Sequence, residues 1–237
     1  MTSIRRWRWW LLRAARRLLM PEASLVFGYL AEDLIASRLL GAHARTGFYV
    51  DVGCHDPVHL SNTLLMYQRG WRGVNIDAQP AIIARIARSR PGDRCVCALV
   101  GEPDRERELV IFADASLSTA DPTLAAAWAQ RSPVITRSSM VTRSLTEILA
   151  ECAPVPTIDF LNVDVEGMEL EVLASLDFSR FDVRLLAAEI HGLNLTQPSQ
   201  QQLVSFLSHR SFVLVAYNGL TAFFEKREAG KRGIPGL

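Results

Sequence analysis

Short apolar runs alternate with helical stretches along almost the whole chain, and this alternation limits the fold more than any other feature. FYVDV (48–52), GVNIDA (73–78), RCVCALV (94–100), TIDFLNVDV (157–165) and VRLLAAEI (183–190) read as strands. Helices are predicted over 25–40, from about Ser61 to Gly70, over 81–89 and 141–152, after Gly167, and from Ser199 to His209. ELVIF (108–112) reads as an extra strand. Such alternation predicts a doubly wound α/β fold, with a mostly parallel sheet covered on both faces. The pattern changes at the end, where FVLVAYN (212–218) and LTAFFEK (220–226) meet tightly around Asn218-Gly219, a hairpin signal. A hairpin cannot be parallel to itself, so the final strand is expected to run against the rest. The stretch 114–140 lacks a clear period and reads as an insertion or lid.

The chain has 237 residues, of which 49% are hydrophobic, enough for one sizeable core. Without repeats or a low-complexity linker, a single domain is expected over 25–237, preceded by a distinct segment, 1–24. The net charge of +1 carries no polyanion signal, and no nucleic-acid partner is expected. Cys54, Cys95, Cys97 and Cys152 contain no CxxC pair and match no zinc spacing, so they read as buried free thiols. Free thiols favour a reducing compartment, and the expected location is the cytoplasm.

The first segment reads IRRWRWWLLRAARRLLM over 4–20. Arg13, Arg16 and Arg17 interrupt any apolar stretch long enough for a signal peptide or a membrane-spanning helix. Helical steps place Ile4, Trp7, Leu11, Ala14 and Leu18 on one face, with Arg5, Arg6, Arg13, Arg16 and Arg17 opposite. Trp and Leu opposite Arg is the composition of a helix lying at a membrane interface, which would put the protein at the inner face of a membrane. A helix packed on the domain and a disordered basic arm are the other readings.

In doubly wound sheets ligands bind at the carboxyl ends of the strands. The first such end is Asp51-Val-Gly53-Cys-His55-Asp56, where Gly53 permits a sharp turn and a close approach. A full G-x-G-x-x-G is absent, which counts against a nicotinamide dinucleotide and its pyrophosphate. An acid there suits a cationic amine, as in S-adenosylmethionine. Asp77 ends the second strand, 24 residues after Gly53, where an acid suits a ribose diol. The competing reading is that Asp51 and Asp77 cap helices. Asp164-Val-Glu166-Gly167 closes the third of these ends, and acids after so apolar a run are costly unless they serve a purpose. They suit a general base or a divalent-cation ligand; alternatively Glu166 only favours the start of the next helix. Glu189-Ile-His191 closes the fourth, and His191 is a second candidate base. His55 and His59 have metal-compatible spacing but share a loop with Pro57 rather than a helix face.

At these residues the chain resembles the FkbM family of methyltransferases. The resemblance is carried by GFYVDVGCHDPVHLSNTLLMYQRGWRGVNIDAQP (47–80), ASLSTAD (115–121), TRSLTEIL (142–149) and IDFLNVDVEGMELEVL (158–173), in the family's order. It departs at Asp77-Ala-Gln-Pro80, where many members have Glu-Pro-Asn-Pro. It departs again at FGYLAED (27–33), which keeps only Glu32 and Asp33 of a longer acidic block. The resemblance implies a class I, Rossmann-like fold with a seven-stranded sheet and a C-terminal antiparallel hairpin. It implies S-adenosylmethionine as donor and O-methylation of a sugar, lipid-linked sugar or related natural product. It assigns Asp51 and Gly53 to the cofactor loop, Asp77 to the ribose, and Asp164 and Glu166 to the reaction centre. Cys54, His55, Asn62, Ala78, Cys97 and Ala98 complete the expected cofactor contacts. Related sugar methyltransferases hold a divalent cation with carboxylates, for which Asp164 and Glu189 are the candidates here. The expected catalytic set is Asp164, Glu166 and His191.

Overall fold

The structure, a computed structural model, describes residues 24–41 and 46–227. The amphipathic segment expected at 4–20 lies outside the described residues. Nine strands are described: β1 (Phe48–Val52), β2 (Arg72–Asp77), β3 (Arg94–Cys97), β4 (Glu106–Phe112), β5 (Val134–Val141), β6 (Thr157–Val163), β7 (Asp182–Glu189), β8 (Phe212–Tyr217) and β9 (Thr221–Lys226). Seven form one sheet in the order β3-β2-β1-β6-β7-β9-β8. β1, β2, β3, β6 and β7 pair in parallel, and β9 runs antiparallel between β7 and β8. The reversed final strand is therefore the one the Asn218-Gly219 hairpin demanded, seated inside the sheet rather than at its edge.

The seven described α-helices are α1 (Glu32–Leu39), α2 (Leu64–Gln68), α3 (Pro80–Ser89), α4 (Pro122–Trp128), α5 (Leu145–Cys152), α6 (Glu169–Ala174) and α7 (Gln202–Ser208). Alternate residues of β1 separate the two faces. Val50 and Val52 join the larger core with Leu145, Ile148 and Leu149 of α5 and Leu173 of α6. Tyr49 joins a second core with Ala36 of α1, Met66 of α2 and Trp71. Fully buried aliphatic side chains such as Ile148 each stabilise the fold by ~1.5–3 kcal/mol, so the larger core carries most of the hydrophobic stabilisation. α5 starts with a capping box: Ser144 Oγ accepts from the Glu147 amide while the Glu147 carboxylate accepts from the Ser144 amide.

Two expectations are corrected. The helix predicted over 25–40 begins only at Glu32, because the acids at its start draw the preceding chain into a turn. The Leu30 amide donates to Glu32 and the Phe27 amide to Asp33, with Ala31 in the left-handed region (φ 66°). The stretch 114–140 is more regular than its sequence suggested. It contains α4 and β5, and β5 pairs antiparallel with β4 in a separate two-stranded sheet. β5 escapes sequence reading because most of its residues are exposed, so no apolar alternation marks it.

Candidate active site

β1 sits mid-sheet: the chain steps outward from it to β2 and β3, then returns to β6 on its other side. That reversal opens a crevice at the strand ends. A cleft of about 680 Å³ occupies it, within the ~300–1,000 Å³ usual for small-molecule sites. Gly53 (φ +82°) lies at its floor, where a Cβ would come within 1.7 Å of the Asp164 carbonyl oxygen. The glycine is thus required by the β6 backbone as well as by any ligand.

At one end of the cleft stands Asp77. Its carboxylate accepts from the amides of His55 (3.3 Å) and Gln79 (2.8 Å), and burial pushes its pKa up to about 6. Those amides fix the carboxylate and leave lone pairs for further donors. Ala78, Ala98 and Leu99 line the wall beside it, and Cys54, His55 and Asn62 also border the cleft. Cys97 is exposed and is not among the lining residues; its thiol faces the Ala78 carbonyl at 3.6 Å. All four cysteines are free thiols, but only Cys54 is fully buried.

Asp51 also borders the cleft but belongs to a buried polar layer. Its carboxylate accepts from Thr63 Oγ1 (2.6 Å) and Asn162 Nδ2 (2.9 Å). Asn162 accepts in turn from Asn62 Nδ2. Beneath them lies Arg90, only 1% exposed, which donates to Thr63, Asn75, Ser61 and the Pro57 carbonyl. Neither Asp51 nor Asp77 bonds the first turn of a helix directly, so neither is a simple cap.

The other end of the cleft is acidic. Asp164 follows β6 and Glu189 ends β7, and the loop between β6 and α6 carries Glu166. Glu166 adopts a left-handed backbone (φ 54°), uncommon outside glycine. Glu169 accepts from the Val165 and Gly167 amides and so ties the loop to α6. Thr119 Oγ1 donates to the Glu166 carbonyl at 2.6 Å, joining the loop to the segment after β4. Burial raises the pKa of Asp164, with nearby Glu166 adding to the effect. Burial and Glu169 bring Glu166 to about 7. Glu189 is raised by burial and then by Asp164. His191 Nε2 lies 3.4 Å from Glu189. Trp128 and Arg131 border the same end, the guanidinium stacked on the indole.

The profile of the methyltransferase FkbM domain matches residues 51–214. This chain belongs to the FkbM methyltransferase family. It is an S-adenosylmethionine-dependent methyltransferase, and its sheet order with a single reversed strand is the class I methyltransferase plan. No curated protein sequence matches this FkbM chain. Among solved structures it is similar to a TehB-like SAM-dependent methyltransferase from Corynebacterium glutamicum (14% identity, TM-score 0.41, covering 95% of this chain and 98% of that one). It is similar to a precorrin-6y C5,15-methyltransferase from Geobacter metallireducens (9%, TM-score 0.40, 82% and 88%). It is also similar to the small RNA methyltransferase HEN1 (15%, TM-score 0.40, 90% and 28%).

Sequence reasoning did not assign Arg90, Trp128, Arg131, Glu169 or Thr119 to this FkbM site. Arg90 sits in a turn signal, RPGD, which reads as surface. Glu169 and Thr119 act through backbone contacts that no side-chain pattern reports. Glu32 borders the cleft too, held there by Asn218 Nδ2 at 2.8 Å from the hairpin tip.

Proposed function

We propose that this FkbM methyltransferase transfers its methyl group to a hydroxyl of a sugar, carried on a glycan, a lipid or a related natural product. The observation that carries this reading is the acidic end of the cleft, where Asp164, Glu166, Glu189 and His191 line a wall that also holds Trp128. A hydroxyl is too weak an acid to attack unaided, and needs a base acting in concert with displacement. Carboxylates also accept hydrogen bonds from neighbouring sugar hydroxyls.

S-adenosylmethionine supplies the electrophilic methyl on a cationic sulfur. Asp77 would receive the ribose hydroxyls, held in place by the His55 and Gln79 amides. The methionyl end would lie over the Gly53 turn, near Asp51. Asp164, at the end of β6 beside the Gly53 turn, would take the hydroxyl proton. The segment 114–140, tied down through Thr119, would keep water out. The basic amphipathic segment 4–20 would bring the protein to a membrane that presents lipid-linked acceptors.

Asp164→Asn is the test. Transfer should fall ~10²–10⁴-fold, while affinity for S-adenosylmethionine, measured by calorimetry, stays within about threefold. Transfer at the wild-type rate would remove Asp164 from the reaction. A screen of sugar hydroxyls against amines as acceptors, read by mass spectrometry, tests the O-methylation reading itself.

A further inference from the structure

Three groups at the acidic end form a compact set. One carboxylate oxygen each from Glu166 and Glu189, and a ring nitrogen of His191, all lie within 4.8 Å of one another. We propose that Glu166, Glu189 and His191 form a divalent-cation site whose preferred occupant is a first-row ion of the Mn²⁺ class.

The first support is two orphaned atoms. Glu166 Oε2 and Glu189 Oε2 are both buried without a hydrogen-bond partner. Glu189 is only 9% exposed and opens into the cleft. A buried, unpaired carboxylate oxygen is costly. A cation held by both carboxylates reduces that cost. The second support is the donor set. Two carboxylates with one imidazole match Mn²⁺, Fe²⁺ or Zn²⁺ better than Mg²⁺ or Ca²⁺, which prefer oxygen alone. Three protein ligands also leave coordination positions open. Third, the ligands are anchored separately. Glu189 ends a central strand, and Glu169 holds the backbone of the loop that carries Glu166.

Asp164 stands outside this set, so the expected pairing of Asp164 with Glu189 becomes Glu166 with Glu189 and His191. That leaves Asp164 free as a base. A divalent cation at such a place lowers the pKa of a hydroxyl bound to it. The use of the site therefore rests on the hydroxyl-methylation reading, but its existence does not.

The experiment titrates the full chain with Mn²⁺ alone, following loss of the free-ion electron paramagnetic resonance signal, then repeats it with S-adenosylmethionine present. One saturable ion per chain is expected. Glu189→Gln, nearly isosteric, should weaken it at least tenfold, Glu166→Gln comparably and His191→Ala severalfold. Affinity for S-adenosylmethionine should stay within threefold, which also reports that the variants are folded. No saturable binding up to millimolar Mn²⁺, or equal binding by Glu189→Gln, overturns the site. Mn²⁺ binding as described without transfer to any hydroxyl keeps the site and defeats the O-methylation reading. Hydroxyl methylation by metal-free protein with no Mn²⁺ binding does the reverse.

Discussion

At the scale of single residues, Asp77 has the clearest consequences. Burial raises its pKa from 3.8 to about 6, so the folded chain binds this proton more tightly than the unfolded one. Its contribution to stability is therefore fully present below about pH 4 and is lost as pH rises through about 6. At ~1.4 kcal/mol per unit, the ligand-free protein should lose about 1–3 kcal/mol between pH 4 and 7 through this group. Asp77→Asn should remove that part of the slope, as read from melting temperatures across the range. Cofactor affinity should move the other way, since only the anion accepts from both ribose hydroxyls. It should fall as pH drops through 6, and Asp77→Ala should weaken it at least tenfold by calorimetry at pH 7.5. An unchanged affinity in that variant would refute the ribose assignment.

At the scale of elements, the segment between β4 and β5 is the part that must move if acceptors enter from that side. One tie to the acidic loop is the Thr119 hydroxyl on the Glu166 carbonyl. Thr119→Val should remove that bond at a cost of about 1 kcal/mol. Limited proteolysis within 114–140 should become faster, and acceptor KM should rise more than cofactor Kd. Equal shifts in both would mean that the tie serves the whole cleft rather than the lid.

Across the whole molecule, one feature holds the site to the fold and another is proposed to bring it to a membrane. The first is Arg90, which reaches from the end of α3 to the loop before α2 and to β2. Arg90→Met would leave the Pro57 carbonyl and the Ser61, Thr63 and Asn75 side chains short of a buried partner. It should destabilise the protein by ~2–5 kcal/mol, seen in denaturant unfolding. Arg90→Lys, with one ammonium for a forked guanidinium, should recover only part. The second is the N-terminal basic segment. Removing residues 1–23 should abolish cosedimentation with anionic vesicles while leaving the rate on a soluble acceptor unchanged. Undiminished cosedimentation would place membrane contact elsewhere. Among the described residues no helix is long and apolar enough to cross a membrane.

Periodicity along the chain was enough to mark the strands of the main sheet (though not their order), most of the helices that cover it and the reversed last strand, because each depends on local patterning and turn chemistry. It also marked Gly53, Asp77, Asp164 and Glu189, since strand ends are where a doubly wound sheet presents side chains. What the tertiary structure alone decided are contacts between residues far apart in sequence. Asp51 is drawn into a polar layer by Thr63, Asn162 and Arg90. β5 is stabilised by pairing with β4 rather than by a buried face of its own. The pairing of Glu166 with Glu189 and His191 depends on a left-handed backbone at Glu166 and on two strands brought side by side. Neither is written in the spacing of those residues, because the distance between strand ends is set by the sheet and not by the chain that connects them.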